Sequence, residues 1–234
     1  MTQYSLEQLT GLSQTHLTTL LVENKEGVGQ KEFLIHRDVK TPLSGLIRDA
    51  QVNGFEFSIA SSFRDYHRQA MIWNAKFSGE RPILDSDSQP LDSTTLSDLE
   101  KIHAIMRWSA LPGASRHHWG CELDVYARNL LPQDTQLQLE PWEYHTGHQE
   151  EFNLWLTEAM PKFGFYRPYQ HDLGGVAIEP WHISHIDTGR EMLEQLSIDK
   201  LQQIWNKHPF LGVESISQHA ESLYNRYISN ITVA

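Results

Sequence analysis

Three short stretches gather the side chains able to do hydrolytic chemistry. They are SSFRDYHRQ at 61–69, SRHHWGCELD at 115–124 and EPWH at 179–182. The second and third offer imidazole and carboxylate, which zinc accepts readily. A catalytic zinc site keeps three protein ligands and leaves one position for water or substrate. His117 and Asp124 stand seven positions apart with Gly120 between them. A turn at Gly120 lets a loop histidine and a strand-borne aspartate converge, with His182 arriving on a neighbouring strand. Taken alone that spacing is equally compatible with coincidence. Glu179, three positions before His182, adds a carboxylate beside the proposed metal. Amide hydrolysis needs such a group to take a proton from water and hand it to the leaving amine. The alternative is a surface glutamate beside a buried Trp-His pair. Arg64 by itself is equally compatible with an exposed residue at a helix start.

Together the stretches resemble the zinc peptidases that group lysostaphin-type enzymes with D-alanyl-D-alanine metallopeptidases and the hedgehog fold. The D-alanyl-D-alanine carboxypeptidase branch fits best. Its pattern is Ser-x-His, two residues, Gly, three residues, Asp, and then Glu-x-Trp-His downstream. Ser115, His117, Gly120, Asp124, Glu179, Trp181 and His182 fill those positions. Ser61-x-Phe63-Arg64 with Gln69 resembles a third motif, in which Phe63 replaces the usual Tyr. The resemblance spans about Phe55 to Ile186. It implies zinc as cofactor, His117, Asp124 and His182 as ligands, and Glu179 as general base and acid. It also implies Arg64 as the group that stabilises the oxyanion or holds the substrate carbonyl, a task suited to a fixed, always-charged guanidinium. Gln69 and Ser115, with Ser61 and Trp181, become candidates for binding substrate, although local turn bonding explains Gln69 and Ser115 nearly as well. Glu122 departs from the pattern, which carries Ala or Ser there, and so places an extra carboxylate near the ligands. His118 offers a competing imidazole. On extended chain it points away from His117, and the family pattern picks His117. His185 reads as structural or as support for the ligands.

The elements that must position these residues follow from capping and periodicity. Ser5 with Gln8, and Ser97 with Glu100, make capping boxes at two helix starts. Thr41-Pro42 reads as a cap and first turn, followed by Leu43, Leu46, Ile47 and Ala50 at helical spacing. Helices are also expected over about 65–77, 97–110 and 149–160. Strands are expected at Phe55–Ala60, Leu123–Tyr126 and Trp181–Ile186, and the tail from Gly189 reads as helical. Loops at 79–92 and 127–147 are expected to shape the pocket. The fold class is therefore α+β: a small antiparallel sheet carrying the zinc site, surrounded by helices. One peptidase domain over 1–234 is expected, with a motif-bearing core at about 55–186 and helical additions at 1–54 and 189–234.

Composition narrows the function classes. The chain has 234 residues, a formal charge of −11, 39% apolar and 21% charged residues. That balance suits a packed soluble domain and opposes nucleic acid as a main partner, since phosphate binding needs a basic face. The single cysteine, Cys121, excludes an internal disulfide framework or a thiolate zinc cluster and reads as buried filler. No stretch is apolar enough to span a bilayer. The N-terminus lacks the basic start and apolar run of a secretory signal, so a cytoplasmic location is expected, or a periplasmic one if a signal has been removed. A monomer is expected. By resemblance the substrate is a peptidoglycan-derived peptide, from which a terminal D-alanine is removed across a D,D or L,D bond. A stem-peptide endopeptidase, a D-Ala-D-Ala dipeptidase and a non-catalytic zinc-binding module are the alternatives.

Overall fold

Two of the chemistry-bearing stretches meet across one antiparallel ladder. In the computed structural model, which describes residues 2–23 and 30–233, the strands are β1 (Leu17–Glu23), β2 (Gln30–His36), β3 (Phe57–Ser61), β4 (Ile83–Leu84), β5 (Pro90–Leu91), β6 (Glu122–Ala127), β7 (Phe165–Tyr166) and β8 (His182–His185). The order β3-β6-β8-β7 forms the central sheet, and β1-β2 and β4-β5 are separate antiparallel pairs. The α+β class is as expected from the sequence.

The helices are α1 (Leu6–Leu9), α2 (Lys40–Val52), α3 (Tyr66–Phe77), α4 (Asp98–Met106), α5 (Pro141–His145), α6 (Glu150–Ala159), α7 (Ile186–Gln195), α8 (Ile198–Lys207), α9 (Val213–Gln218) and α10 (Ala220–Leu223). Both capping boxes are present. Asp65 caps α3 by accepting from the Arg68 amide, which ties the start of that helix to the Arg64 motif. The cap expected at Thr41 lies elsewhere. A 3-10 turn at Arg37–Val39 feeds directly into α2, whose first turn therefore begins at Lys40 without a side-chain cap. Part of the loop expected at 127–147 is helical: Pro141 opens α5 under a capping box from Glu140 and Glu143.

The N-terminal addition differs most from expectation. It is not helical throughout, because β1 (Leu17–Glu23) and β2 (Gln30–His36) pair antiparallel. Leu20 is buried and its neighbour Leu21 is half exposed, so two adjacent leucines mask a period-2 strand. The hairpin is part of the site's support. The His36 amide donates to the Gly120 carbonyl at 2.8 Å, and the Phe63 amide donates to the Leu34 carbonyl at 3.2 Å. Gly120 has φ +70°, and a Cβ there would lie 2.8 Å from the His36 nitrogen and 2.6 Å from Leu17 Cδ2. Glycine is thus required twice, for the left-handed turn and for the close approach of the hairpin.

The C-terminal helices brace the opposite side. Trp205 donates to the Pro112 carbonyl, Trp73 to Leu211, and Tyr66 to His208. Among the described residues no helix is long and apolar enough to cross a membrane.

Candidate metal and catalytic site

Strand register sets the first ligand pair. In the β6-β8 ladder Asp124 lies directly opposite His182, and Glu122, two residues back on the same face, lies opposite Ser184. The ladder runs on past β8, because Val125 donates its amide to the Trp181 carbonyl. His117 comes from the 3-10 turn Arg116–Trp119 that precedes Gly120. The expected ligands therefore converge: one donor atom each from His117, Asp124 and His182 lies within 4.8 Å of the others.

The donor set fits zinc. His117 Nε2 is 3.3 Å from Asp124 Oδ2, and His182 Nδ1 is 3.4 Å from Asp124 Oδ1. Ligand atoms at zinc's usual bond lengths on a tetrahedron are about 3.3 Å apart, so each histidine lies at that spacing from one of the two Asp124 oxygens. Asp124 Oδ1 is buried without a hydrogen-bond partner, a cost that a cation removes. The His117 tautomer is also fixed. Its Nδ1 faces the Ser62 carbonyl at 3.0 Å, an acceptor only, so Nδ1 carries the proton and Nε2 keeps its lone pair for a metal. Burial raises the Asp124 carboxyl, but His117 and His182 outweigh it and hold it far below the usual carboxylate range. Burial likewise pushes His182 down, while Asp124, Glu122 and Glu179 together bring it well above its ordinary value. Three carboxylates around one ring stabilise a cation.

Glu179 and Arg64 face the same space. Glu179 Oε2 is 3.2 Å from His182 Nδ1. A cavity of about 340 Å³ is lined by Arg64, His117, Asp124, Glu179, Trp181 and His182, together with Ser115. Arg64 is held rather than free: Nη2 donates to Ser61 Oγ and Nη1 to Gln69 Oε1, both at 2.9 Å. Ser61 reaches this position through a bulge. Ile59 pairs with Val125 but Ser61 pairs with Asp124, so one extra residue re-aims the end of β3.

Those bonds bear on two expectations. Gln69 is fully buried, accepts from Arg64, and donates Nε2 to the Ala110 carbonyl at 2.7 Å. Its amide is engaged at both ends within the chain, so it holds Arg64 instead of facing a substrate. Ser61, partly buried, also accepts from Arg64. Ser115 and Trp181 do line the cavity, and Trp181 packs on Tyr144 with ring centroids 5.6 Å apart.

His118 takes no part in the ligand cluster, for a reason other than extended chain. A 3-10 turn rotates successive residues by about a third of a circle. His118 therefore points back into the fold, where Nε2 accepts from the Gly113 amide and Nδ1 donates to the Arg64 carbonyl. Burial lowers it to about 3, so it is a neutral structural bridge between two backbone segments. His185 is structural too, with Nδ1 against Thr188 Oγ1 at 3.0 Å and its ring against Phe165. Cys121 is fully buried, and burial pushes its thiol up, away from reactivity.

Other groups here carry no motif. The Ser62 carbonyl works through backbone and leaves no trace in side-chain type. Arg167 clamps the Glu179–His182 turn by donating Nε to the Pro180 carbonyl, with Thr157 and Asn153 accepting its other nitrogens. Tyr169 packs edge-on to His182 at 5.1 Å. Lys76 and Arg81 line the cavity, with Lys76 donating to Ser109 at 2.7 Å. Tyr227 and Ile228 bring the C-terminal addition to the same wall.

Known proteins share this arrangement of sequence. A protein of Haemophilus influenzae described only as uncharacterized is 38% identical over 121 residues, covering 50% of this chain and 92% of its own. A D-alanyl-D-alanine carboxypeptidase of Enterococcus faecalis is 33% identical over 147 residues, covering 62% of this chain and 45% of its own. Among solved structures, the LdcB LD-carboxypeptidase superposes with a TM-score of 0.53 at 19% identity, over 78% of this chain and 79% of that one, a likeness of fold. A VanY D,D-pentapeptidase solved with Zn(II) gives a TM-score of 0.47 at 22% identity, over 75% and 84%. The family model described as VanY, D-alanyl-D-alanine carboxypeptidase, matches residues 32–188. That match begins inside β2, upstream of the Phe55 boundary expected from the motifs, in agreement with the hairpin's contacts to Gly120 and Phe63. With the ligand cluster, the flanking glutamate and this match together, the chain belongs to the D-alanyl-D-alanine carboxypeptidase family of zinc peptidases.

Proposed function

We propose that the chain removes the terminal D-alanine from peptidoglycan stem peptides by metal-assisted hydrolysis, with His117, Asp124 and His182 as zinc ligands. The observation that carries this reading is the Glu179 carboxylate, 3.2 Å from His182 Nδ1 and on the wall of the cavity that Arg64 also lines. Neither residue is needed merely to hold a metal, which argues against a non-catalytic zinc module.

Zinc bound there supplies Lewis acidity and makes water acidic enough to deprotonate near neutral pH. Glu179 takes the proton of the attacking water on its carboxylate and returns it to the departing amine. Arg64, preset by Ser61 and Gln69, donates to the oxygen on which negative charge develops, without reorganising as it does so. Trp181 and Tyr169 wall the reacting groups and limit access of bulk water.

Lys76 and Arg81 add positive charge to the same cavity, which suits a substrate ending in a free carboxylate. That favours removal of a terminal residue over cleavage within the stem. The test is incubation with tripeptide, tetrapeptide and pentapeptide stems, followed by product masses. Loss of one alanine from the pentapeptide marks a D,D bond, and loss from the tetrapeptide an L,D bond. Cleavage within the tripeptide portion, or no cleavage of any stem, contradicts the proposal.

A further inference from the structure

Glu122, where the family pattern carries a small residue, is fully buried on the sheet face that bears the ligands. The β6-β8 register explains what it meets. Asp124 stands opposite His182 on the Nδ1 side, and Glu122, two residues earlier on the same face, reaches the far side of the same ring. Its Oε2 lies 2.8 Å from His182 Nε2. Its Oε1 accepts from Ser184 Oγ at 2.5 Å and from Arg116 Nη2 at 2.8 Å, and that nitrogen also reaches Ser184 Oγ at 3.2 Å. The carboxylate is thus fixed at both oxygens, and its charge is cancelled by a guanidinium as buried as itself.

The surroundings are built to keep it there. Buried charge is tolerated only with close pairing, and removal of one partner strands the other. Arg116 leaves Nε and Nη1 without acceptors and lies over the Trp119 ring at 4.8 Å, so its accommodation is costly apart from Glu122. Gly189 supplies the room. A Cβ there would sit 2.6 Å from Ser184 Oγ, 3.1 Å from Glu122 Oε1 and 3.2 Å from Arg116 Nη2, so α7 carries a glycine where it crosses the cluster. A histidine that binds metal through one nitrogen is oriented and made more basic by an acceptor on the other.

We propose that Glu122, clamped by Arg116 and Ser184, is a positioning residue for the metal centre: it holds the His182 ring by its Nε2–H so that Nδ1 is aimed at the metal. The inference rests on His182 being a ligand, as proposed above. Of the cluster's members, Glu122 departs from the family pattern.

The test is zinc affinity of the full chain at one fixed alkaline pH, by chelator competition, with circular dichroism and melting of the metal-free protein alongside. The key variant is the pair Arg116→Met and Glu122→Ala, which leaves no stranded charge. Zinc affinity is expected to fall about 10–100-fold while the metal-free chain stays folded. Arg116→Met with Glu122→Gln keeps an oxygen for Nε2–H without stranding a charge and is expected to recover much of that loss. In the zinc-loaded parent the His182 Nε2–H proton is expected as a slowly exchanging NMR signal, absent from the paired variant and restored when Glu122→Gln replaces Glu122→Ala in it. Should the paired variant fail to fold, Gly189→Ala probes the same cluster, because its methyl displaces Ser184 Oγ; a zinc affinity at least threefold weaker is expected. Parental zinc affinity in the folded paired variant, or in Gly189→Ala if only that one folds, overturns the inference while leaving the ligand assignment intact. A parent chain that binds no zinc overturns the ligand assignment itself.

Discussion

The two sides of the candidate site are built in different ways. The ligand side rests on backbone: Asp124 and His182 face each other because β6 and β8 pair in that register, and His117 is aimed by the Ser62 carbonyl. The Arg64 side rests on side chains: Ser61 and Gln69 hold the guanidinium, and Gln69 is anchored on Ala110. A ladder is cooperative and tolerates single changes poorly only at the ligands themselves. A side-chain clamp loosens one bond at a time. Substitutions should therefore act in an all-or-none way on one side and by degrees on the other.

The largest effect is expected from His117→Ala or Asp124→Ala. Each should abolish stoichiometric zinc by metal analysis, and hydrolysis with it, because two remaining ligands do not make a closed site. Zinc retained at one per chain in either variant breaks the ligand side of the comparison. Arg64→Ala comes next. It should lower kcat about 10²–10³-fold, as loss of an oxyanion donor does, with zinc content unchanged. A change confined to KM would assign Arg64 to binding instead. Gln69→Ala should be milder, about tenfold in kcat, and should cost about 1–3 kcal/mol of stability by removing the buried amide that pairs the Ala110 carbonyl and Arg64 Nη1. Equal losses in Arg64→Ala and Gln69→Ala would mean that the clamp is itself all-or-none.

The smallest effect lies outside both sides, in the N-terminal brace. His16 is buried beside His36 and Tyr4, with neither ring nitrogen hydrogen-bonded. Burial, with the neighbouring His36, lowers it to about 4 from 6.5. Between those values the unfolded chain binds a proton that the folded chain excludes. The neutral ring's contribution is therefore complete above pH 6.5 and is lost as pH falls towards 4. His16→Leu should flatten the fall in melting temperature across that window and leave zinc content unchanged. An identical acid profile removes His16 from the account.

The same contrast explains what the residues revealed before the structure. Ser5 with Gln8, and Ser97 with Glu100, announce helices through local bonds, and those helices are present. The cluster of His117, Asp124 and His182 was legible through the family resemblance, and a fixed turn at Gly120 and a strand pair bring it together. The hairpin was not legible, since Leu20 and Leu21 read as a continuous apolar run although only one faces the core. Gln69 looked like a substrate contact because its type and spacing belong to a motif, yet its partner is Arg64; type alone does not tell which of two polar neighbours it serves. The difference between His117 and His118 depended on a 3-10 turn where extended chain was expected, and the bulge at Ser61 depended on tertiary pairing. Glu122 was visible as an extra carboxylate, but Arg116, Ser184 and Gly189 join it only across the fold.

The most direct test of the central claim is Glu179→Ala, assayed for zinc content and stem-peptide hydrolysis in the same preparation. The account predicts one zinc per chain with hydrolysis reduced about 10²–10⁴-fold, as expected for loss of a general acid and base. Hydrolysis at the parental rate with zinc in place would contradict it.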